Sequence, residues 1–180
     1  MNDITEFLNS LPVPARKPRK PKPVTTEQSK LRYQQAHELD FAKNYPTAYK
    51  DGHYFKPKMP DCRTANGLTQ AIVKFILWNG YRATRIASSG RIVKSPERQA
   101  SGTVLQTAKY IPGSTRKGTA DISATIKGKS VMIEIKVGND RPSPEQLREQ
   151  ELERNAGGCY EFIGTFEEFL VLYDGIVLLT

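Results

Sequence analysis

The sequence predicts an α/β fold: a mixed central sheet flanked by helices, with a flexible basic N-terminal arm. Three observations lead there. After residue 65, helical and strand periodicities follow one another in the order helix, strand, strand, strand, helix, strand, the pattern of a mixed α/β sandwich. The 180 residues suffice for one domain with an ordinary core and an appendage, and not for two sizeable domains. The hydrophobic fraction of 38% is somewhat low, as expected of a compact domain carrying a polar tail. The chain therefore divides into an arm over residues 1–24, a helix with an aromatic and basic loop over 25–60, and a main domain over 61–180.

Residues 1–10, with Leu11, set Ile4, Phe7 and Leu8 at near-helical spacing, which suits a short frayed helix or a docking peptide. Leu11 to Pro23 reads LPVPARKPRKPKP; proline blocks a helix and like charges repel, so an extended segment is expected. It serves either as a phosphate-tracking arm or as a solvated tether. Thr25 to Asn44 predicts a helix, with a cap at Thr25-Thr26-Glu27-Gln28, a stripe of Leu31, Gln35, Leu39 and Ala42, and a stop at Tyr45-Pro46. Residues 46–65 carry Tyr49, Tyr54, Phe55, Lys56 and Lys58 without a period; packing of this loop on the core is favoured over stacking on unpaired bases.

Leu68 to Trp78 predicts a core helix with Leu68, Ile72, Phe75 and Ile76 on one side and a C-terminal stop at Asn79-Gly80. Tyr81 to Ile86 alternates as a strand, with Tyr81, Ala83 and Arg85 on one face. Ser88 to Lys117 is a long polar stretch, broken by Gly90, Pro96, Gly102 and Pro112-Gly113, with one strand at Thr103 to Ile111; long loops of this kind are often functional. Pro142 to Ala156 predicts a helix with Leu147 and Leu152 facing in. Tyr160 to Ile163 predicts a strand, and Thr165-Phe166-Glu167-Glu168 opens a final helix with a capping box.

Between these elements lies the stretch that carries chemistry. Gly118-Thr119-Ala120-Asp121-Ile122 is followed by a polar turn around Lys127-Gly128-Lys129 and then by Val131-Met132-Ile133-Glu134-Ile135-Lys136-Val137. Alternation along a strand sends Val131, Ile133, Ile135 and Val137 one way and Glu134 and Lys136 the other. Charged groups near the middle of a sheet cost free energy unless they have partners or a metal. Two carboxylates on neighbouring strands suit Mg²⁺, a hard cation that takes oxygen ligands and keeps several waters. A lysine beside them can orient or help deprotonate a water and offset negative charge on a phosphate in its transition state. Glu-x-Lys alone reads as well as a solvent-facing cross-strand ion pair; Gly-Thr-Ala-Asp at hairpin distance shifts the reading towards metal-assisted phosphodiester hydrolysis, and the acids are expected at one edge of the sheet.

Asp121, the hairpin-length gap and Glu134-Ile135-Lys136 resemble the Asp-(spacer)-Glu-x-Lys core of the restriction-endonuclease-like nucleases. With Ser143-Pro144-Glu145-Gln146 and the Ala156-Gly157-Gly158 turn, the resemblance is closest to the VRR-NUC branch, which includes small phage and bacterial proteins and domains of repair nucleases. It spans residues 66–173 and is strongest over 117–160. It implies a restriction-endonuclease-like fold and a Mg²⁺-dependent nuclease, with Mn²⁺ as a substitute. It implies Asp121 and Glu134 as metal ligands, the Ile135 carbonyl as a backbone ligand, and Lys136 as the catalytic lysine. Gln146 matches a glutamine that supports the lysine or the attacking water; read from this sequence alone it serves equally as a solvated amide on an amphipathic helix. Arg91 and Lys117 match basic positions near the site in that branch. One departure concerns Asn66-Gly67-Leu68-Thr69-Gln70-Ala71, which lacks the acid many relatives carry on the first helix; Asn66 or Gln70 is then a neutral stand-in, and one metal or two remains open.

Charge is uneven. Eleven Lys and Arg against six Asp and Glu give +5 over residues 1–60, ten against two give +8 over 61–117, and six against eleven give −5 over 118–180. A basic block leading into an acidic metal motif suits a polyanion, and nucleic acid is the expected partner. Arg91, Lys94, Arg98, Lys109, Arg116 and Lys117 are the candidates for gripping it, and Arg85 is placed either for a phosphate or for a surface salt bridge. DNA is the expected substrate, in junction, flap or branched form because no target-recognition domain is visible; RNA stays open, and a homodimer would suit cutting two strands. The alternative is a nuclease-fold binding module without catalysis. No apolar run approaches the roughly 18 residues a membrane span needs, and no cleavable leader is visible, so a cytoplasmic protein is expected. Cys62 and Cys159 lack metal-ligand spacing and read as reduced packing residues; His37 and His53 read as surface residues.

Overall fold

The structure, a computed structural model, describes residues 25–86, 91–98, 104–111 and 116–178; the arm over 1–24 lies outside the described residues. In chain order the elements are α1 (Glu27–Asn44), α2 (Pro46–Lys50), α3 (Ala65–Trp78), β1 (Arg82–Arg85), β2 (Arg91–Arg98), β3 (Val104–Ile111), β4 (Ile122–Ile126), β5 (Lys129–Ile135), α4 (Pro144–Asn155), β6 (Cys159–Ile163) and α5 (Phe166–Leu178). This is a mixed α/β fold. Its four-stranded sheet runs β1-β4-β5-β6, with β1 antiparallel to β4, β4 antiparallel to β5 and β5 parallel to β6. A two-residue turn joins β4 to β5 with φ of 51° at Lys127 and 78° at Gly128, the conformation that matches strand twist in a tight hairpin. The parallel pair is joined by α4, as a parallel connection requires.

Strand parity divides the sheet into two faces. Ala83, Ile122, Ala124, Ile126, Val131, Ile133, Ile135 and Ile163 are buried on one face, against a layer formed by α1, α3 and α5. Leu68, Ile72, Phe75 and Ile76 of α3 are buried as their spacing predicts. Phe75 meets Phe166, Phe169 and Tyr173 of α5 edge-on, with centroids 5.7, 5.7 and 5.1 Å away, a geometry that adds to area burial. The opposite face carries Asp121 and Glu134 and is covered by α4 on the β5–β6 side.

Four expectations need correcting. The inward stripe of α1 is Ser29, Tyr33 and Ala36; Leu31 and Leu39 are exposed. The reason is that Tyr33 inserts its ring between Trp78 and Phe166 (centroids 4.9 and 5.9 Å), and a large aromatic buries more surface than either leucine. Tyr33 thereby places α1 in the core shared with residues beyond 61. Leu147 and Leu152 of α4 are 50% and 45% exposed. Instead α4 meets the sheet through polar groups: Gln146 donates to Glu134, Gln150 donates to the Tyr160 carbonyl (2.9 Å), and Glu153 accepts from Ser130 (2.5 Å). Gln146, Gln150 and Glu153 fall on one side of a helix. His37 is half-buried against Trp78, Tyr54 and Phe41 rather than on the surface. Finally, the long stretch over 88–117 holds two strands, not one, because β2 pairs with β3 in an antiparallel ladder from Arg91↔Ile111 to Arg98↔Val104.

Other expectations stand. Tyr54 packs on His37 and Phe41, so part of the aromatic loop closes on α1, while Phe55 is exposed. Cys62 and Cys159 are free thiols, and His53 is exposed. The final helix is capped by Thr165, whose Oγ1 accepts the Glu168 N–H (3.1 Å), while Glu168 reaches back to the Gly164 N–H (2.7 Å), one residue beyond the usual box. Among the described residues no helix is long and apolar enough to cross a membrane.

Candidate functional site

The register of β4 on β5 pairs Ile122 with Ile133, so Asp121 stands opposite Glu134 at the end of the two inner strands rather than along a sheet edge. Hydrogen bonds from several elements fix Asp121 and the turn before it. The Ile86 N–H donates to the Asp121 carbonyl (2.8 Å), and the Ile135 N–H donates to Asp121 Oδ2 (3.1 Å). The Tyr160 hydroxyl donates to the Gly118 carbonyl (3.0 Å), and the Thr119 hydroxyl to the Arg116 carbonyl (2.7 Å). Gly118 has φ of +86°, and a Cβ there would lie 2.6 Å from the Glu145 carbonyl oxygen. Only glycine lets the turn press so closely on the start of α4.

Glu134 is the buried acid of the site. Its Oε1 accepts from Gln146 Nε2 and lies 3.1 Å from Lys136 Nζ. Lys136 also reaches Asp140 Oδ2 at 3.3 Å. The side chains of Lys136 and Glu134 are only 11% and 8% exposed, so water screens this pair weakly. Burial raises the Glu134 carboxyl above its ordinary value, and the nearby Asp121 charge raises it further, against the lowering effect of Lys136. For Lys136 burial opposes the charge, yet Glu134 and Asp140 outweigh it and hold the ammonium above its ordinary value. Lys136 is therefore a cation at neutral pH.

Gln146 is oriented by a capping box. Its Oε1 accepts the Ser143 N–H (2.9 Å) while its own N–H donates to Ser143 Oγ (3.3 Å). With the amide oxygen so engaged, the NH₂ faces Glu134, so Gln146 is not a solvated amide, and its bond goes to the acid rather than to Lys136. Ile135 lies between the charged pair, its side chain buried on the other face. Its N–H points towards Asp121, and in an extended residue the carbonyl points to the same neighbour.

All four longer helices begin at this end of the sheet. Asn66 in the first turn of α3 accepts from Arg85 at the end of β1 (2.5 Å), α4 starts beside Glu134, α5 starts after β6, and the Thr26 N–H at the start of α1 donates to Glu167 of α5 (2.8 Å). Helix N-termini attract anions. First-turn acids answer that potential in α1 (Glu27), α4 (Glu145) and α5 (Glu167, Glu168), and none does in α3.

The structure thus brings Asp121, Glu134, Lys136 and Gln146 together. Arg85 projects with Ala83 to the helix-covered face, opposite the one that carries Asp121 and Glu134, and bonds Asn66 rather than a carboxylate among the described residues. Lys117 is exposed on the turn before Asp121, lining a hollow of about 430 Å³ with Arg116, Glu145, Arg148 and Glu149. Arg91 and Lys94 fall in β2, and their side chains lie outside the described residues. Asn66 is taken up by Arg85; Gln70 is exposed beside Lys74 and Arg85. Two contributors escaped the sequence reading: Asp140, which meets Lys136 from four residues further along the chain, and Tyr160, which reaches Gly118 across the fold. Ser143 was read within its motif but not as a cap, although Ser-x-x-Gln before a helix is a capping box. Among the described residues no three His, Cys, Asp or Glu side chains converge as a metal cluster. No protein-family model, curated protein or solved structure matches this chain.

Proposed function

We propose that this chain is a divalent-metal-dependent nuclease of the restriction-endonuclease-like kind, hydrolysing phosphodiester bonds of DNA and choosing its substrates by structure. One observation carries the reading: a carboxylate with an 8% exposed side chain, Glu134, is held in place by Lys136 and Gln146 with Asp121 beside it. A buried acid without a task is a net cost. The sequence resemblance to VRR-NUC nucleases points the same way.

The donor set suits Mg²⁺ or Mn²⁺. Carboxylates and a strand carbonyl are hard oxygen donors. The side-chain donors at Glu134 use Oε1 and the bond at Asp121 uses Oδ2, and a carboxylate offers about four lone-pair positions, so both acids retain capacity. Burial first, and then repulsion from Asp121, raises Glu134, and a cation held by both acids would relieve that repulsion. When bound, such an ion supplies Lewis acidity towards a phosphate oxygen and lowers the pKa of water. Asp121, Glu134 and the Ile135 carbonyl would hold it. Lys136, charged and tethered between Glu134 and Asp140, offsets the negative charge that builds on the phosphate as the bond to the leaving oxygen breaks. It does so as a fixed cation, since its raised pKa disfavours service as a base. Gln146 keeps the Glu134 carboxylate from rotating, which preserves its alignment during reaction.

A second reading is a nucleic-acid-binding module without catalysis. The acid-free first turn of α3, with Asn66 engaged by Arg85, favours it. Cleavage of labelled linear, single-stranded, flap and four-way-junction DNA, with Mg²⁺, with Mn²⁺ and with chelator, separates the two. The nuclease reading requires metal-dependent products that Glu134→Ala abolishes; a protein that binds these substrates and cuts none of them contradicts it.

A further inference from the structure

The acid-bearing face of the sheet is covered on only one side. Across it the burial falls from β6, where Tyr160 is buried, through Glu134 and Met132 of β5, to Thr125 of β4 and Arg82 and Thr84 of β1, which are exposed. The cause is the position of α4, which packs on β6 and bonds β5 through Gln146 and Glu153. The β1–β4 half is left open among the described residues. Cross-strand pairing places Arg82 beside Thr125 and Thr84 beside Ser123, and by the same register Ile86 lies beside Asp121. The hollow over this half measures about 370 Å³ and is lined by Arg82, Thr84, Ile86, Ser123, Ala124 and Thr125.

We infer that this open half-sheet is a track for one unpaired nucleic-acid strand, whose backbone runs along β1 and β4 and delivers a phosphodiester to Asp121 and Glu134. Three features fix that occupant. The lining offers a guanidinium and three hydroxyls and no carboxylate, which matches a chain of phosphates. Arg82 has no carboxylate partner among the described residues. The track is continuous with the acids, which share its face, and it is two strands wide, about 10 Å at roughly 4.8 Å per strand, room for a single strand and not for a duplex. Glu153, bonded to Ser130, marks its border on the β5 side. The end point of the track rests on the nuclease reading; the binding surface is measurable without it.

The test compares matched charge changes at two exposed sites: Thr84→Glu and Thr84→Lys in the track, Val171→Glu and Val171→Lys on α5, which packs against the other face and leaves Val171 75% exposed. Binding of a fluorescent single-stranded oligonucleotide and of its duplex is followed in chelator by anisotropy. Thr84→Glu should weaken single-strand binding about tenfold and Thr84→Lys should tighten it, with both Val171 variants within about twofold of wild type and duplex binding less affected. The lysine variant gains affinity and so cannot be mistaken for misfolding. Arg82→Ala should lower the slope of log affinity on log salt by about 0.7, the value for one phosphate contact on a single strand. Equal shifts at Thr84 and Val171, or no oligonucleotide binding by the wild type, would overturn the track. Cleavage is scored separately: a wild type that cuts while Thr84 and Val171 behave alike loses the track and keeps the nuclease reading, and a wild type that never cuts while Thr84 alone moves binding does the reverse.

Discussion

Gln146→Glu alters the site by one functional group. Glutamate serves the third helical position of a capping box as glutamine does, so the bond from the Ser143 N–H survives and the start of α4 is kept. What changes is the group facing Glu134, where an NH₂ donor becomes an oxygen. A hydrogen bond to a charged acceptor is lost, about 1.5–3 kcal/mol, and two carboxylates about 4 Å apart repel by about 4 kcal/mol at an effective dielectric constant near 20. Sharing one proton limits the total, because close carboxylates take up a proton rather than both ionise. At about 1.36 kcal/mol per pH unit, protonating one carboxyl from an ordinary value of about 4.5 at neutral pH costs roughly 3 kcal/mol. The expected loss of stability in chelator is therefore about 3 kcal/mol at neutral pH and under about 1 kcal/mol near pH 5. Millimolar Mg²⁺ or Mn²⁺ should restore most of it, since three carboxylates then share a cation. Urea unfolding followed by the single tryptophan, Trp78, which packs on Tyr33 and His37, reads this without reference to activity. A variant with the wild-type midpoint in chelator at neutral pH would refute the contact between Gln146 and Glu134.

The Glu134 carboxyl is raised in the folded chain, so the native state binds more protons than the unfolded state between about 4.5 and that raised value, and stability falls as pH rises through the window. Relative to Glu134→Gln, the metal-free wild type should lose stability on going from about pH 4 to neutrality, as chemical denaturation would measure; a flat difference would contradict the buried, repelled carboxylate. Gly118→Ala forces a methyl against the Glu145 carbonyl in a left-handed backbone conformation, which should cost about 1–3 kcal/mol and, by shifting α4, lower activity further; wild-type stability would show that the turn does not press on the helix. Glu134→Ala and Lys136→Ala should all but abolish cleavage, by about a hundredfold to a thousandfold as removal of one preorganised group does, while binding to oligonucleotides changes little; undiminished cutting by both variants after careful purification would show the site to be elsewhere.

The strands around the acids were legible because parity is a strong signal: Val131, Ile133 and Ile135 are buried and Glu134 lies on the opposite face, as two-residue alternation requires. Helix α3 was legible for the same reason, with four apolar residues on one side. The sequence misled where burial depends on a partner rather than on a pattern. Two leucines define the apparent stripe of α1, yet the fit of Tyr33 between Trp78 and Phe166 turns the helix to another face. Leu147 and Leu152 define the apparent stripe of α4, yet that helix covers the sheet with two glutamines and a glutamate whose acceptors and donors lie on strands distant in sequence. Strand β2 was read as loop because Arg91 to Arg98 is polar and includes Pro96, and a two-stranded ladder needs little apolar content to pair. At the site, Asp121, Glu134 and Lys136 were readable from their spacing, whereas the hold on Lys136 by Asp140 and on Gly118 by Tyr160 appears only once the chain is folded.

Crystals of the protein soaked in Mn²⁺ and measured at the manganese absorption edge would locate the cation relative to the two acids. One anomalous peak is expected between the Asp121 and Glu134 carboxylates and within coordination distance of the Ile135 carbonyl, with Lys136 still beside Glu134, and no such peak in Glu134→Ala. Manganese bound only elsewhere, or a wild-type site in which Lys136 occupies the space between the two acids and no ion enters, would contradict the proposed metal site.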